Sequence, residues 1–118
     1  MVTIPVAPVP KPRMTRADRW KKRPATARYW QYKDALKAEV TGELEPRFMV
    51  TFRVPMPKSW SKKKQIEMLG KPHQVKPDVD NYLKAFMDAL CTDDSYVYDA
   101  RARKFWAESG SIELEEYT

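Results

Sequence analysis

The tightest constraint on the fold is an alternation in the middle of the chain. Phe48, Val50, Phe52 and Val54 alternate with Arg47, Met49, Thr51 and Arg53, and Pro55 and Pro57 stop the pattern. A period of two sends the first set to one face of a strand and the second to the other, so this segment must be a half-buried strand with an apolar layer against it. The flanking segments say what supplies that layer. After Pro24 the spacing Tyr29, Tyr32 or Lys33, Leu36, Val40 follows one helical face and Gly42 is placed to end it. A second helix is predicted from about Asp80, with Leu83, Met87 and Leu90 toward the core and Ala85, Phe86 and Ala89 widening the apolar face. Ser59 or Ser61 can cap a short helix through Leu69, stopped by Gly70 and Pro72, with Lys62 to Lys64 in solvent.

Further strands are predicted at Val2 to Val6, Tyr96 to Trp106 and Ser111 to Glu116, the last two joined across Gly110. The interleaved order predicts an α/β or α+β fold: a small mixed sheet of about four strands with two or three helices packed on it. With 118 residues and no linker or internal repeat, residues 1–118 form one domain, with a basic, proline-rich loop at about 8–24. Cys91 is the single cysteine, no stretch has transmembrane length, and an intracellular, cytoplasmic protein is expected.

Charge is divided along the chain. Residues 1–40 hold ten basic and three acidic side chains, residues 58–84 seven and three, and residues 85–118 three and eight. A basic front and middle followed by an acidic end suits a polyanion-binding surface beside a cluster of carboxylates, although uneven surface charge gives the same count. Aromatics interleave with the cations: Trp20, Tyr29, Trp30 and Tyr32 lie among Arg19, Lys21, Lys22, Arg23, Arg28 and Lys33. Such pairs can stack on unpaired bases, but Tyr29 and Tyr32 are expected in the core, and Trp60, Phe105 and Trp106 in the core or a dimer surface.

The acidic residues are sorted by type. Six of eight aspartates lie between Asp78 and Asp99, and all eight glutamates lie outside that interval. Asp is the poorer helix former and the shorter carboxylate, so its concentration here points to caps, turns or metal ligands. Pro77 favours an extended Lys76, and in an extended segment Asp78 and Asp80 point the same way, as a pair able to hold a hard cation; equally, Asp80 can cap the following helix. Asp93 and Asp94 fall just past that helix, where a returning strand can bring a third carboxylate toward the first two, a set suited to Mg²⁺ or Mn²⁺. Lys84, one turn after Asp80, either forms a surface ion pair or aims its ammonium at charge developing on a phosphate. Asp80, Lys84 and Asp88 share the face opposite Leu83 and Met87, free to wall a cleft. His73, the only histidine, reads as a solvated loop residue whose function, if it has one, is a phosphate contact. Cys91 reads as a packed thiol.

The run Lys76-Pro77-Asp78-Val79-Asp80-Asn81, then Lys84, Asp88-Ala89-Leu90, Asp93-Asp94-Ser95 and Arg103-Lys104 resembles the RusA family of Holliday junction resolvases, common in phages and prophages. The resemblance covers about His73 to Glu108, with a looser likeness at Lys11-Pro12-Arg13. It implies a small homodimeric, Mg²⁺-dependent endodeoxyribonuclease that binds four-way DNA junctions and makes paired incisions in recombination and repair, leaving 3′-hydroxyl and 5′-phosphate ends. It implies Asp78, Asp80 and Asp94 as metal-binding carboxylates, Lys84 as the catalytic lysine, and Asp93 as an auxiliary. Lys11, Arg13, Arg16, His73 and Lys76, in the basic segments, and Lys104, at the end of the resembling stretch, are the expected DNA contacts. Only Cys91 and Thr92 separate the helix end from Asp93 where the family commonly has a longer loop. A helix intact from Asp80 to Leu90 runs about 15 Å, which four extended residues only just retrace. Either the helix ends early, near Met87 or Asp88, or Asp94 approaches from the side. A non-catalytic DNA-binding protein and a nucleotide-sugar transferase with a D-x-D motif are the rival readings. The apolar Phe105, Trp106, Ile112 and Leu114 suggest that the C-terminal strands carry the dimer interface.

Overall fold

The computed structural model describes residues 1–12 and 24–117. The alternating segment is strand β2, Arg47–Pro55, and it lies inside the sheet. The remaining elements in chain order are β1 (Val2–Ile4), α1 (Pro24–Glu39), α2 (Lys62–Met68), α3 (Val79–Leu90), a single 3₁₀ turn (Asp94–Tyr96), β3 (Asp99–Ala107) and β4 (Ser111–Glu116). The sheet order is β1-β4-β2-β3. β4 runs antiparallel to both β1 and β2, whereas β3 is parallel to β2. A parallel pair needs a long crossover connection, and here it carries α2 and α3. The result is the expected single-domain α+β architecture with a mixed four-stranded sheet.

Strand register decides what faces the helices. Phe48, Val50, Phe52 and Val54 align with Ala100, Ala102, Lys104 and Trp106 of β3, and Leu114 and Ile112 of β4 continue the layer toward Ile4. Tyr29, Tyr32 and Leu36 of α1 and Tyr82, Ala85, Phe86 and Ala89 of α3 close over it. Aromatic rings carry much of the packing: Phe52 stacks on Tyr82 at 5.5 Å and meets Phe86 edge-on at 6.0 Å. Tyr82 pairs with Phe52 and Phe86 with Phe48, so α3 runs antiparallel to β2 and its N-terminus lies toward the end of the sheet that holds Lys104.

Several boundaries differ from the sequence expectation for local reasons. β1 stops at Ile4 instead of Val6, because Pro5 has no N–H for the ladder and Val6 N–H turns back to the Ile4 carbonyl at 2.8 Å. α1 starts at Pro24, where the fixed φ of proline suits the first helical position. β3 starts at Asp99 and not at Tyr96, since the Asp93 carboxylate accepts from Ser95 N–H at 3.0 Å and winds residues 94–96 into the 3₁₀ turn. Of the two candidate caps for α2, Ser61 is the one used, accepting from Lys64 N–H, and Gly70 takes φ +80 just beyond that helix. Gly110 is required for a different reason: a Cβ there would lie 2.5 Å from the Cβ of Ala7.

Two packing expectations are corrected. Leu83 and Met87 flank the buried face of α3 instead of centring it, and Tyr82 takes the central place because Phe52 and His73 both present rings to it. Trp106, Ile112 and Leu114 are buried in the chain's own core, so they are not a surplus apolar surface at the C-terminal strands.

Candidate active site

α3 begins where the loop 74–77 ends, after a cis Lys76–Pro77 peptide bond. Asp78 occupies the N-cap position with extended φ −68 and ψ 155, and Asp80 lies in the first helical turn. The pair is therefore set by a helix start and not by an extended segment. An N-cap aspartate ordinarily accepts a hydrogen bond from one of the first helical N–H groups. The Asp78 carboxylate makes no such bond; its backbone carbonyl accepts from Asn81 N–H at 3.1 Å instead. Both carboxylates are exposed, at the helix end whose unsatisfied N–H groups favour negative charge.

Two lysines flank the pair. Lys84 Nζ lies 3.9 Å from Asp80 Oδ2, with both side chains 66% exposed. Lys104 reaches the loop from β3, donating to the carbonyls of Val75 at 2.6 Å and Pro77 at 2.7 Å. Lys104 and Asp78 line an open depression of about 700 Å³ together with His73, Gln74, Val75, Lys76 and Val79. Lys76 is exposed on this loop. His73 differs from the expected solvated residue: it is only 3% exposed, its ring 4.2 Å from Trp106 and edge-on to Tyr82. Burial, and then the charge of Lys104, lower its pKa and hold it neutral.

Asp93 and Asp94 lie at the other end of α3. The helix does not end early; it runs intact through Leu90, so the first of the two alternatives for Asp94 is corrected. At about 1.5 Å per residue its 12 residues span about 18 Å. A second ruler agrees, because the turn holding Asp94 leads into β3 at Asp99, five residues or about 17 Å from Lys104. Asp93 is fully exposed, and the hydrogen bond from Ser95 N–H holds its carboxyl below the usual range. Among the described residues no three His, Cys, Asp or Glu side chains are grouped closely enough to hold a metal ion. One chain thus brings together Asp78, Asp80, Lys84 and Lys104, and leaves Asp93 and Asp94 apart.

Comparison with known proteins places this geometry. Residues 5–115 match the family described as endodeoxyribonuclease RusA. The chain belongs to the RusA endodeoxyribonuclease family. It is also 36% identical to "Uncharacterized protein YqaN" of Bacillus subtilis (strain 168), over 77% of this chain and 73% of that one. No solved structure matches the chain. Membership of this family makes the protein an endodeoxyribonuclease; of the acidic residues quoted from its sequence, Asp78 stands at the N-cap of α3, Asp80 and Asp88 lie on it, and Asp93 and Asp94 follow it.

Two features of this RusA-family chain lie outside the sequence reading. The first is the use of Asp88, expected to be free on the cleft wall. Its carboxylate accepts from Tyr29 OH at 2.9 Å and pairs with Lys11 Nζ at 2.7 Å, and Lys11 N–H also reaches the Asn81 carbonyl at 3.4 Å. Burial acts to raise the Asp88 pKa, but the bonds from Lys11 and Tyr29 and the charges of Lys11 and Lys33 outweigh it and hold the carboxyl low. Lys11, expected on DNA, is thus tied to α3, and the chain leaves Pro12 beside the helix that holds Asp78. Arg13 and Arg16, the other expected N-terminal contacts, lie outside the described residues. The second feature is the Lys104 clamp. Its signal was present: Lys104 falls in the inward register of β3 between Ala102 and Trp106, where a cation needs a polar partner.

Proposed function

We propose that this endodeoxyribonuclease is a Mg²⁺-dependent Holliday junction resolvase that acts as a homodimer in DNA recombination and repair in the cytoplasm. The observation that carries the reading is a pair of exposed carboxylates, Asp78 and Asp80, at the start of α3, with Asp78 making no cap hydrogen bond and Lys84 and Lys104 alongside. The donor set fits the cation. Mg²⁺ commonly takes one or two carboxylates and completes its shell with water and phosphate oxygens, and Mn²⁺ accepts the same ligands. Asp78 and Asp80 would hold it, with Asp94 as a third carboxylate. When bound, the cation supplies the acidified water and the positive charge on the scissile phosphate that the side chains cannot.

The residues of the chain do the rest. Lys84, on an exposed turn of α3, is placed to offset charge as the phosphate is attacked. Lys11 and Asp88 dock the start of the basic N-terminal segment on α3, and the cations of that segment, Arg13 and Arg16 among them, would neutralise phosphates of a DNA arm. The separation of Asp94 from Asp78 by the length of α3 favours a two-fold arrangement in which a second copy supplies the missing carboxylate. An isologous pair also suits a four-way junction, which takes two symmetry-related incisions.

The test is cleavage of a labelled four-way junction and a linear duplex of the same sequence, with Mg²⁺, with Mn²⁺ and with chelator. Paired, metal-dependent incision of the junction in preference to the duplex is expected. Tight junction binding with no incision under any metal would make the protein a DNA-binding one.

A further inference from the structure

Lys104 sits where a lysine is least expected, on the helix-facing side of β3 opposite Phe52, in a row otherwise made of Ala100, Ala102 and Trp106. It is half-buried, so its ammonium must find oxygen acceptors. It finds two: the carbonyls of Val75 and Pro77, at 2.6 and 2.7 Å. These carbonyls bracket the peptide bond that delivers the chain to Asp78. The backbone of Lys104 holds the same loop, since its carbonyl accepts from His73 N–H at 3.1 Å. His73 in turn is packed against Trp106, two residues along β3. Residues 73–77 are therefore fastened to β3 by Lys104 at both ends, through main chain at one and side chain at the other. The N-cap carboxylate that follows makes no cap hydrogen bond to orient it.

We propose that Lys104 is a positioning residue for Asp78, fixing the loop from which that carboxylate projects, and not a contact for the DNA backbone. Two of the three ammonium donors are already committed to protein carbonyls, which leaves little of the group for a phosphate. This inference rests on the reading that Asp78 holds the metal.

The experiment compares wild type, Lys104→Met, Lys104→Arg and Asp78→Asn by two measurements that do not depend on turnover. One is Mn²⁺ binding to the DNA-free protein by electron paramagnetic resonance. The other is junction affinity in chelator as a function of salt. Lys104→Met is expected to weaken Mn²⁺ binding about tenfold or more while leaving the salt slope of junction binding unchanged, and Lys104→Arg to recover part of the Mn²⁺ affinity. A salt slope lower by about one with Mn²⁺ affinity unchanged is the signature of a lost phosphate contact, and it would overturn the inference. If Asp78→Asn abolishes Mn²⁺ binding and Lys104→Met does not alter it, the inference alone fails. If Asp78→Asn binds Mn²⁺ as wild type does, the metal assignment itself fails and takes the inference with it. Should Lys104→Met not fold, Lys104→Gln, which keeps an amide donor near the same reach, is read against the same outcomes.

Discussion

Lys84→Ala separates catalysis from folding more cleanly than any other substitution in this chain. In the free protein the ammonium touches little: it is 66% exposed and 3.9 Å from Asp80 Oδ2, at the outer limit of an ion pair. An exposed i, i+4 pair contributes about 0.3–0.5 kcal/mol, and the better helix propensity of alanine offsets part of its loss. Stability should therefore change by less than about 0.5 kcal/mol. Turnover should change far more. If DNA seats Lys84 against the phosphate under attack, removing it deletes one donor of transition-state charge, an effect of about 2.7–4 kcal/mol, or roughly 10²–10³ in rate. Single-turnover cleavage of a four-way junction at saturating protein isolates that step, and a gel shift in chelator reports binding. Equal losses in rate and affinity would make Lys84 a phosphate-positioning residue. A rate within about threefold of wild type would remove it from the mechanism.

Further outcomes follow from the same geometry. Asp78→Asn and Asp80→Asn should each lower junction cleavage by orders of magnitude while binding in chelator persists, because the amide keeps the size and loses the anionic ligand; near-normal cleavage would remove the residue from the site. The Asp88 carboxyl is held below its ordinary value of 3.8, so its contribution to stability is complete above that value and is lost as pH falls through the lower, folded one. Tyr29→Phe, which deletes one of its hydrogen bonds, should cost about 1 kcal/mol at neutral pH and flatten the acid limb of a thermal unfolding series below about pH 4. Neutralising Arg13 and Arg16 together should reduce the salt slope of DNA binding by about two, measured on junction and duplex alike. A homodimer should be visible by sedimentation at micromolar protein, and mixing Asp78→Asn with Asp94→Asn chains should restore partial cleavage if the two carboxylates of one site come from different copies.

The elements read correctly from the sequence are those whose signal is local and repeated. β2 shows a period of two over eight residues and ends on prolines, and the structure keeps that register, with the strand's end within a residue of the expected one. α3 starts within a residue of its expected position because Asp78 stands at its N-cap, Asp80 in its first turn, and apolar residues recur along it. Errors arise where a residue's surroundings are set by partners distant in the chain. The central place of Tyr82 on α3 depends on the ring of Phe52, distant in sequence, and on that of His73. His73 was misjudged for the same reason. Its burial depends on Trp106, 33 positions away, and no local pattern announces that contact.

The candidate site divides along the same line. Asp80 and Lys84 lie about one helical turn apart and Asp78 falls two residues before Asp80, so spacing alone groups them. Lys104 and the Tyr29–Asp88–Lys11 network join residues far apart in the chain and required the fold. Asp94 is the instructive case. One way to bring it back to Asp78 within one chain is for α3 to stop near Met87, which would release Ala89 and Leu90 from the core, where both are buried. Exposing Leu90 alone costs about 1.5–3 kcal/mol, a large share of what holds a domain of this size together. The intact helix is the cheaper solution for folding, and it leaves each chain with two carboxylates at one end of an 18 Å rod and two at the other. Two such rods related by a two-fold axis across their length would place the start of each beside the end of its partner, so the feature that separates the carboxylates within one chain is the one that would combine them in a pair.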